Sequence, residues 1–351
     1  MLLIDAHLDL AMNALEWNRN LDLEVAQIRA AEADMQQKGR GNGTTTLPEL
    51  RRGEVFLSVV TVISRTARAN SPSSGTACQE ISYAKAQGQL AYYRVLESQG
   101  ETRLILDAAG LEEHVKGWPP GGGDVPLGFI LSMEGADPIV WPEQVHSWYA
   151  DGLRQISLSH YGVSAYAHGT GTEGGLVGEG KALLREMEKA GIVLDLTHLA
   201  DQAFWEALDH FDGRVLASHN NCRALVPGGR QFTDEQIQAV IGRDGVIGAA
   251  LDAWMLYPDW IKGETDPEVL TLATVADHID HVCQLAGDSL HAAIGSDLDG
   301  GYGTEQTPGD LDTIADLQKL VDLLRHKGYA DVDIEGIFYR NWLRFYGEAW
   351  R

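Results

Sequence analysis

"KALLREMEKAGIVLDLTH", residues 181–198, reads as a helix followed at once by a strand. Leu183, Leu184, Met187 and Ala190 share one face at helical spacing, and Gly191 supplies a helix stop. "GIVLDLTH" (191–198) is then a short apolar run with no polar alternation, as expected of a parallel strand covered on both faces, and it ends in His198. Similar apolar runs lie on either side: "LLIDAH" (2–7), "EVFLSVVTV" (54–62), "PLGFILSME" (126–134), "LRQISLSH" (153–160), "GRVLASH" (213–219), "DGVIGAAL" (244–251) and "HAAIGSD" (291–297). Amphipathic stretches separate them, such as "TDEQIQAVIGRDG", where Thr233 and Gln236 form a capping box pattern. Eight strands each followed by helix predict a (β/α)8 TIM barrel, a single α/β domain over residues 1–351. The length requires long βα loops, which fall at the Ser-rich 64–79, at "GWPPGGGDVP" (117–126) and at the Gly-rich 169–180.

Composition bounds the partners. The net charge of −24 repels phosphate backbones and anionic bilayers, so neither nucleic acid nor a membrane is expected. No apolar run approaches the ~20 residues that span a bilayer. Nothing at the start resembles a secretory leader, and "YRNWLRFYGEAWR" at the end reads as a closing amphipathic helix rather than a lipid-anchor signal. Three widely spaced cysteines, 78, 222 and 283, suit reduced thiols. The expectation is a cytoplasmic protein.

A barrel collects its chemistry at the C-terminal ends of its strands. His7 and Asp9 end the first run, Glu134 the third, His160 the fourth, His198 the fifth, His219 the sixth and Asp297 the eighth. His-x-Asp alone is weak evidence among 12 histidines, since it recurs at His210/Asp212 and His278/Asp280. Seven such residues on six strand ends are another matter, because unpaired buried carboxylates at that density are costly and cations remove the cost. Imidazole with carboxylate suits zinc, with manganese or iron as alternatives.

In order along the chain, "DAHLDL" (5–10), "SMEG" (132–135), "ISLSH" (156–160), "DLTH" (195–198), "ASHNNCRAL" (217–225) with "GGR" (228–230), and "GSDLDG" (295–300) resemble the motifs of the membrane (renal) dipeptidase family of the metal-dependent amidohydrolase superfamily. The resemblance implies two zinc ions, with His7 and Asp9 on one, His198 and His219 on the other, and Glu134 bridging. It implies substrate contacts from His160 and Arg230, proton transfer by Asp297, and a small dipeptide, including L-D dipeptides, as substrate. On that resemblance the metals would supply a hydroxide to attack the carbonyl, His160 would stabilise the oxyanion, and Arg230 would grip the terminal carboxylate. A homodimer is common in the family. The same constellation also serves a related hydrolase of another amide or a lactone, or a barrel that binds without turnover.

Other signals read as structural. Asp299 is expected to brace its loop, and Cys222 to be a buried inert thiol. "SDLDGG" lacks the later ligands of a calcium loop, and Ala182 stands where a phosphate loop after "GTGTEGGLVGEGK" needs Ser or Thr. Asp195 and His146 are assigned no role. Two loops depart from the family: "YGVSAYAHGTGTEGG" (161–175), with Tyr161 and Tyr166, and "DAWMLYPDWIKGETDP" (252–267), with Trp254, Tyr257 and Trp260. Both are expected to shape the substrate pocket.

Overall fold

The computed structural model describes residues 1–67, 75–119, 121–123 and 125–351. Its strands are β1 (Leu3–Leu8), β2 (Val55–Ile63), β3 (Thr102–Leu104), β4 (Leu127–Glu134), β5 (Leu153–Ser157), β6 (Val193–Asp195), β7 (Val215–Leu216), β8 (Ile247–Ala249) and β9 (Ala292–Ile294). Each of the eight predicted runs overlaps one of them, with β1 and β2 extending one residue past the predicted ends. The ninth, β3, is short and polar, and it pairs with the first half of β4. All pairings are parallel. Every residue of β1, β2 and β4 is buried, which is why those runs carry no polar alternation.

The strands form a curled seven-stranded sheet in the order β1-β2-β4-β5-β6-β7, with β3 on β4, and a separate pair β8-β9. The single ladder expected from the sequence is therefore divided. A lone bridge, Ala217↔Ile247, joins β7 to β8, and the Asp297 N–H donates to the His7 carbonyl at 3.3 Å between the end of β9 and β1. Glycines occur where backbones crowd: a Cβ on Gly248 or Gly295 would lie 2.1 or 1.7 Å from the Ser218 carbonyl.

Helices pack outside. Gly180–Ala190 buries Leu183, Leu184 and Met187 and stops at Gly191, whose φ of 72° is left-handed as predicted. Asp234–Gly242 carries the predicted Thr233/Gln236 capping box. The C-terminal helix Asn341–Ala349 ties the strands together: Trp342 Nε1 donates to the Ile294 carbonyl at 3.0 Å, and Tyr346 Oη donates to Gln155 Oε1 at 2.7 Å. Among the described residues no helix is long and apolar enough to cross a membrane. Of the predicted loops, residues 68–74, 120 and 124 lie outside the described part. The Gly-rich loop is folded on itself by bridges Tyr161↔Thr170, Val163↔His168 and Ala167↔Leu176.

Candidate metal centre

Glu134, the last residue of β4, puts Oε1 at the centre of four imidazoles. The distances to Nε2 are 3.5 Å for His7, 3.7 Å for His160, 3.2 Å for His198 and 3.4 Å for His219. His198 Nε2 and His219 Nε2 face each other at 3.1 Å. Asp9 Oδ1 and Asp297 Oδ1 lie 4.0 and 3.8 Å from His7 Nε2. Three overlapping trios come within ligating reach: His7/Glu134/His219, Glu134/His160/His198 and His7/Asp9/Asp297.

The sequence places these residues at strand ends, whereas most sit just beyond them. His160, His198, His219 and Asp297 each follow the last residue of their strand by three positions. The ladder stops because the backbone must turn inward to aim the side chains. His198 at φ 69° and Asp297 at φ 59° are in the left-handed region, which is uncommon for residues other than glycine. Two buried carboxylates hold the turns. Asp195 Oδ1 accepts from the N–H groups of Thr197 (3.0 Å) and Ser218 (3.1 Å), each one residue before a candidate ligand. Asp5 Oδ1 does the same for His7 (3.1 Å) and Ser296 (2.9 Å). Asp195→Ala would leave three buried donors unpaired, the Thr197 and Ser218 N–H groups and Gln155 Nε2, which donates to Asp195 Oδ2 at 3.0 Å. It is expected to lose about 2–4 kcal/mol of stability, read as a lower denaturant midpoint at unchanged slope.

Side-chain hydroxyls and a guanidinium orient the rings. Thr170 Oγ1 lies 2.8 Å from His198 Nδ1, Ser218 Oγ lies 2.9 Å from His219 Nδ1, and Arg65 Nη1 lies 3.2 Å from His160 Nδ1. Thr61 Oγ1 donates to Asp9 Oδ1. None of these four partners was anticipated from the sequence, which offers no spacing rule for them. Arg230 is buried; Nη1 donates to Asn220 Oδ1 at 2.6 Å and Nη2 to the His219 carbonyl at 2.8 Å, while Nε has no partner.

These residues fit a cation. Burial pulls the His7 imidazole down, but Glu134, Asp9 and Asp297 together outweigh it and push it up to about 10. Burial and Glu134 raise Asp9 to about 6. Asp297 is raised well above the carboxylate range, chiefly by burial. His198 and His219 are held far below the usual imidazole range, by burial first. Without metal the cluster thus retains a proton on His7 at neutral pH and presents neutral imidazoles at His198 and His219, and neither ring nitrogen of His7 has a hydrogen-bond partner. Metal uptake at His7 must displace that proton. Titration at pH 7 is expected to release at least one proton per chain, and affinity should rise with pH up to about 10, where His7 loses its proton unaided. Calorimetry in buffers of different ionisation enthalpy measures the release; uptake without protons would contradict the charge state.

The sequence matches the membrane dipeptidase family, peptidase family M19, over residues 1–350. The chain belongs to that family. It is a metallo-dipeptidase type of hydrolase, and its structure resembles solved members. The dipeptidase AC, an M19 metallopeptidase, superposes with a TM-score of 0.81 at 22% identity, covering 100% of this chain and 99% of that one. A Rhodobacter sphaeroides metallopeptidase, solved with a phosphinate mimic of L-Ala-D-Ala, gives 0.80 at 21% over the same shares. In sequence, a Klebsiella pneumoniae protein of the pqqA 5′ region is 29% identical over 75% of this chain and 95% of its own length. Dipeptidase aclJ of Aspergillus oryzae is 30% identical over 63% of this chain, which spans about half of that relative's length.

The remaining expectations divide. Tyr161 stands at the site, its ring 4.7 Å from His160 and 5.2 Å from His198. Tyr166 does not: it is buried, with its hydroxyl donated to the Ile139 carbonyl at 2.6 Å. Trp254 donates Nε1 to Asp252 at 2.6 Å, and Asp252 is buried and among the charges felt by Asp297 and Tyr161. Among the described residues no ring contact or hydrogen bond joins the Tyr257 or Trp260 side chain to the centre. Asp299 braces as expected, accepting from Thr44 N and Oγ1, Thr45 N and Arg19 Nη1. Cys222 is buried, and burial pushes its thiol up out of the reactive range.

Proposed function

We propose that this family member is a zinc-dependent dipeptidase with two metals per chain, His7 and Asp9 on one, His198 and His219 on the other, and Glu134 between them. The observation that carries the reading is Glu134 Oε1 within 3.2–3.7 Å of four imidazole nitrogens. Bound metal would supply Lewis acidity toward the scissile carbonyl and ionised water at neutral pH. The chain's own groups complete the reaction. His160 donates toward the developing oxyanion. Asp297 takes the proton of the attacking water and returns it to the leaving amine. Arg230 fixes the substrate's C-terminal carboxylate through its fork.

Arg230 has no acidic partner among the described residues although it is buried, which supports a carboxylate brought by substrate. A dipeptide supplies that charge one residue past the scissile bond; a tripeptide or C-terminal amide does not. An unpaired buried charge costs several kcal/mol, so both poor substrates are expected to lose roughly a hundredfold or more in kcat/KM. Recognition through the carboxylate leaves the second Cα unread, so an L-D dipeptide should be accepted; the L-Ala-D-Ala mimic bound by the Rhodobacter relative supports this. The test compares an L-L dipeptide, its L-D diastereomer, its amide and the tripeptide in wild type and Arg230→Ala. Equal kcat/KM for free acid and amide in wild type rules out the clamp.

We further propose that the strands close as a full (β/α)8 barrel acting as one domain, supported by the Ala217↔Ile247 bridge and the contact between Asp297 and His7. Free Cys78, Cys222 and Cys283 support a cytoplasmic setting. A homodimer rests on the family resemblance, and sedimentation tests it.

A further inference from the structure

We propose that Arg65 fixes the ring proton of His160 on Nε2, making His160 the imidazole of the centre that donates rather than ligates. The four rings around Glu134 differ in what meets Nδ1. For His198 and His219 it is a hydroxyl, Thr170 Oγ1 or Ser218 Oγ, which can accept. Thr170 also lies 3.4 Å from the His198 carbonyl, to which its own proton can go, so its oxygen is free to accept from Nδ1–H. That leaves the His198 Nε2 lone pair for a cation. For His160 the neighbour is Arg65 Nη1 at 3.2 Å.

A guanidinium has five N–H donors and no acceptor, and it stays protonated at any working pH. Its contact with Nδ1 is a hydrogen bond only if Nδ1 is bare. A neutral imidazole with a bare Nδ1 carries its proton on Nε2. The other tautomer, and the imidazolium, would set N–H against N–H. His160 Nε2 is 3.7 Å from Glu134 Oε1. Distance alone therefore admits His160 to a trio with Glu134 and His198, but an Nε2–H cannot bind a cation. It instead aims a donor at the place where charge develops on the substrate carbonyl.

Arg65 is well placed to impose this. It lies two residues beyond Ile63, which is in register with Glu134. Its carbonyl accepts from Thr76 N at 2.7 Å, and the next N–H, of Thr66, is held by Asp137 Oδ2 at 2.7 Å. Arg65 forms no ion pair with a carboxylate among the described residues; its one side-chain hydrogen bond is to His160. Arg65 is thus a positioning residue that acts through His160.

The catalytic use of the donor rests on the dipeptidase reading, but the tautomer does not, and the test separates them. Protein labelled with 15N in its histidine rings is studied metal-free and with zinc alone, by long-range 1H–15N correlation, with His160 assigned through His160→Gln. In wild type His160 should show a bare Nδ1 and a protonated Nε2. Arg65→Met should move it toward the Nδ1–H form. Its metal content should hold and KM should change little, while kcat falls by about tenfold to a hundredfold, the scale of a displaced catalytic group. Arg65→Lys, which keeps a cationic donor, should recover part of the rate. A protonated Nδ1 in wild type overturns the assignment, as does Arg65→Met with unchanged tautomer and kcat. The wild-type spectrum decides even if the Met variant fails to fold. If the tautomer is as stated and no dipeptide is cleaved, the assignment of Arg65 stands and the functional reading falls.

Discussion

Glu134→Gln should strip both of the proposed metals from the protein and lower dipeptide turnover by at least ~10³-fold. Two of the three candidate trios contain Glu134, and among the described residues no other carboxylate reaches both His7 and His198. Glutamine keeps the shape but brings no charge. A neutral amide cannot offset two cations, and its NH2 group would confront imidazoles that need to present lone pairs. Loss of metal returns water from a pKa near ~7 to ~15.7, so the nucleophile disappears at neutral pH. Elemental analysis of the reconstituted variant reads the first effect and a dipeptide assay the second; a variant that retains two equivalents and substantial turnover removes Glu134 from the bridge.

The same substitution has a signature in the metal-free protein. Glu134 is held well below the carboxylate range: burial raises it, but His160, His7 and His198 more than offset that. A lowered acid stabilises the fold above its unfolded value of about 4.5, and the benefit is lost as pH falls. His7, raised from 6.5 to about 10, stabilises fully below 6.5 and loses that contribution as pH rises to 10. The two contributions overlap between pH 4.5 and 6.5. There the stability gap between metal-free wild type and Glu134→Gln should be widest, on the order of the 3–5 kcal/mol of a broken buried pair, and it should shrink toward pH 10.

How far the sequence carried depended on what each residue announces. The strands were legible because burial on both faces leaves continuous apolar runs, and β3 was not, because "TRL" has no such run and is placed only by its pairing with β4. That His7, Glu134, His198 and His219 come together was legible, because side chains at the C-terminal ends of parallel strands converge on one mouth. Their supports were not. Thr170 and Ser218 look like any loop hydroxyls, and Arg65 in "ISRT" reads as one more surface cation until it is found beside His160. Asp195, assigned no role, holds the two turns that aim His198 and His219. Tyr161 and Tyr166 share a loop and a residue type yet part company, because the bridges that fold the loop, invisible in its composition, turn one toward the imidazoles and the other toward Ile139.

Asp297→Asn should keep most of the metal and lose about 10²–10⁴-fold in kcat, the usual contribution of a positioned acid–base group. The substitution spares the scaffold. Asparagine tolerates the left-handed backbone that Asp297 adopts at φ 59°, and the N–H that donates to the His7 carbonyl belongs to the main chain. What changes is the proton. Burial lifts the Asp297 carboxyl well above its ordinary range, His7 pulls it back, and Glu134, Asp9 and Asp252 push it further up. A carboxylate surrounded by other carboxylates is a stronger base than one in water, which is what accepting a proton from the attacking water requires; metal charge nearby would ease its release to the leaving amine. An amide can do neither. The geometry also makes the prediction a sharp one, because Asp297 Oδ1 lies 3.8 Å from His7 Nε2 and within the trio His7/Asp9/Asp297. A ligand and a proton carrier at that position make different demands on the residue. If Asp297 is a primary ligand, Asn will cost one metal equivalent along with the rate. If it carries the proton, metal content will hold while kcat collapses and KM stays near wild type, because the proposed clamp at Arg230 is untouched. Near wild-type kcat would mean that another group moves the proton.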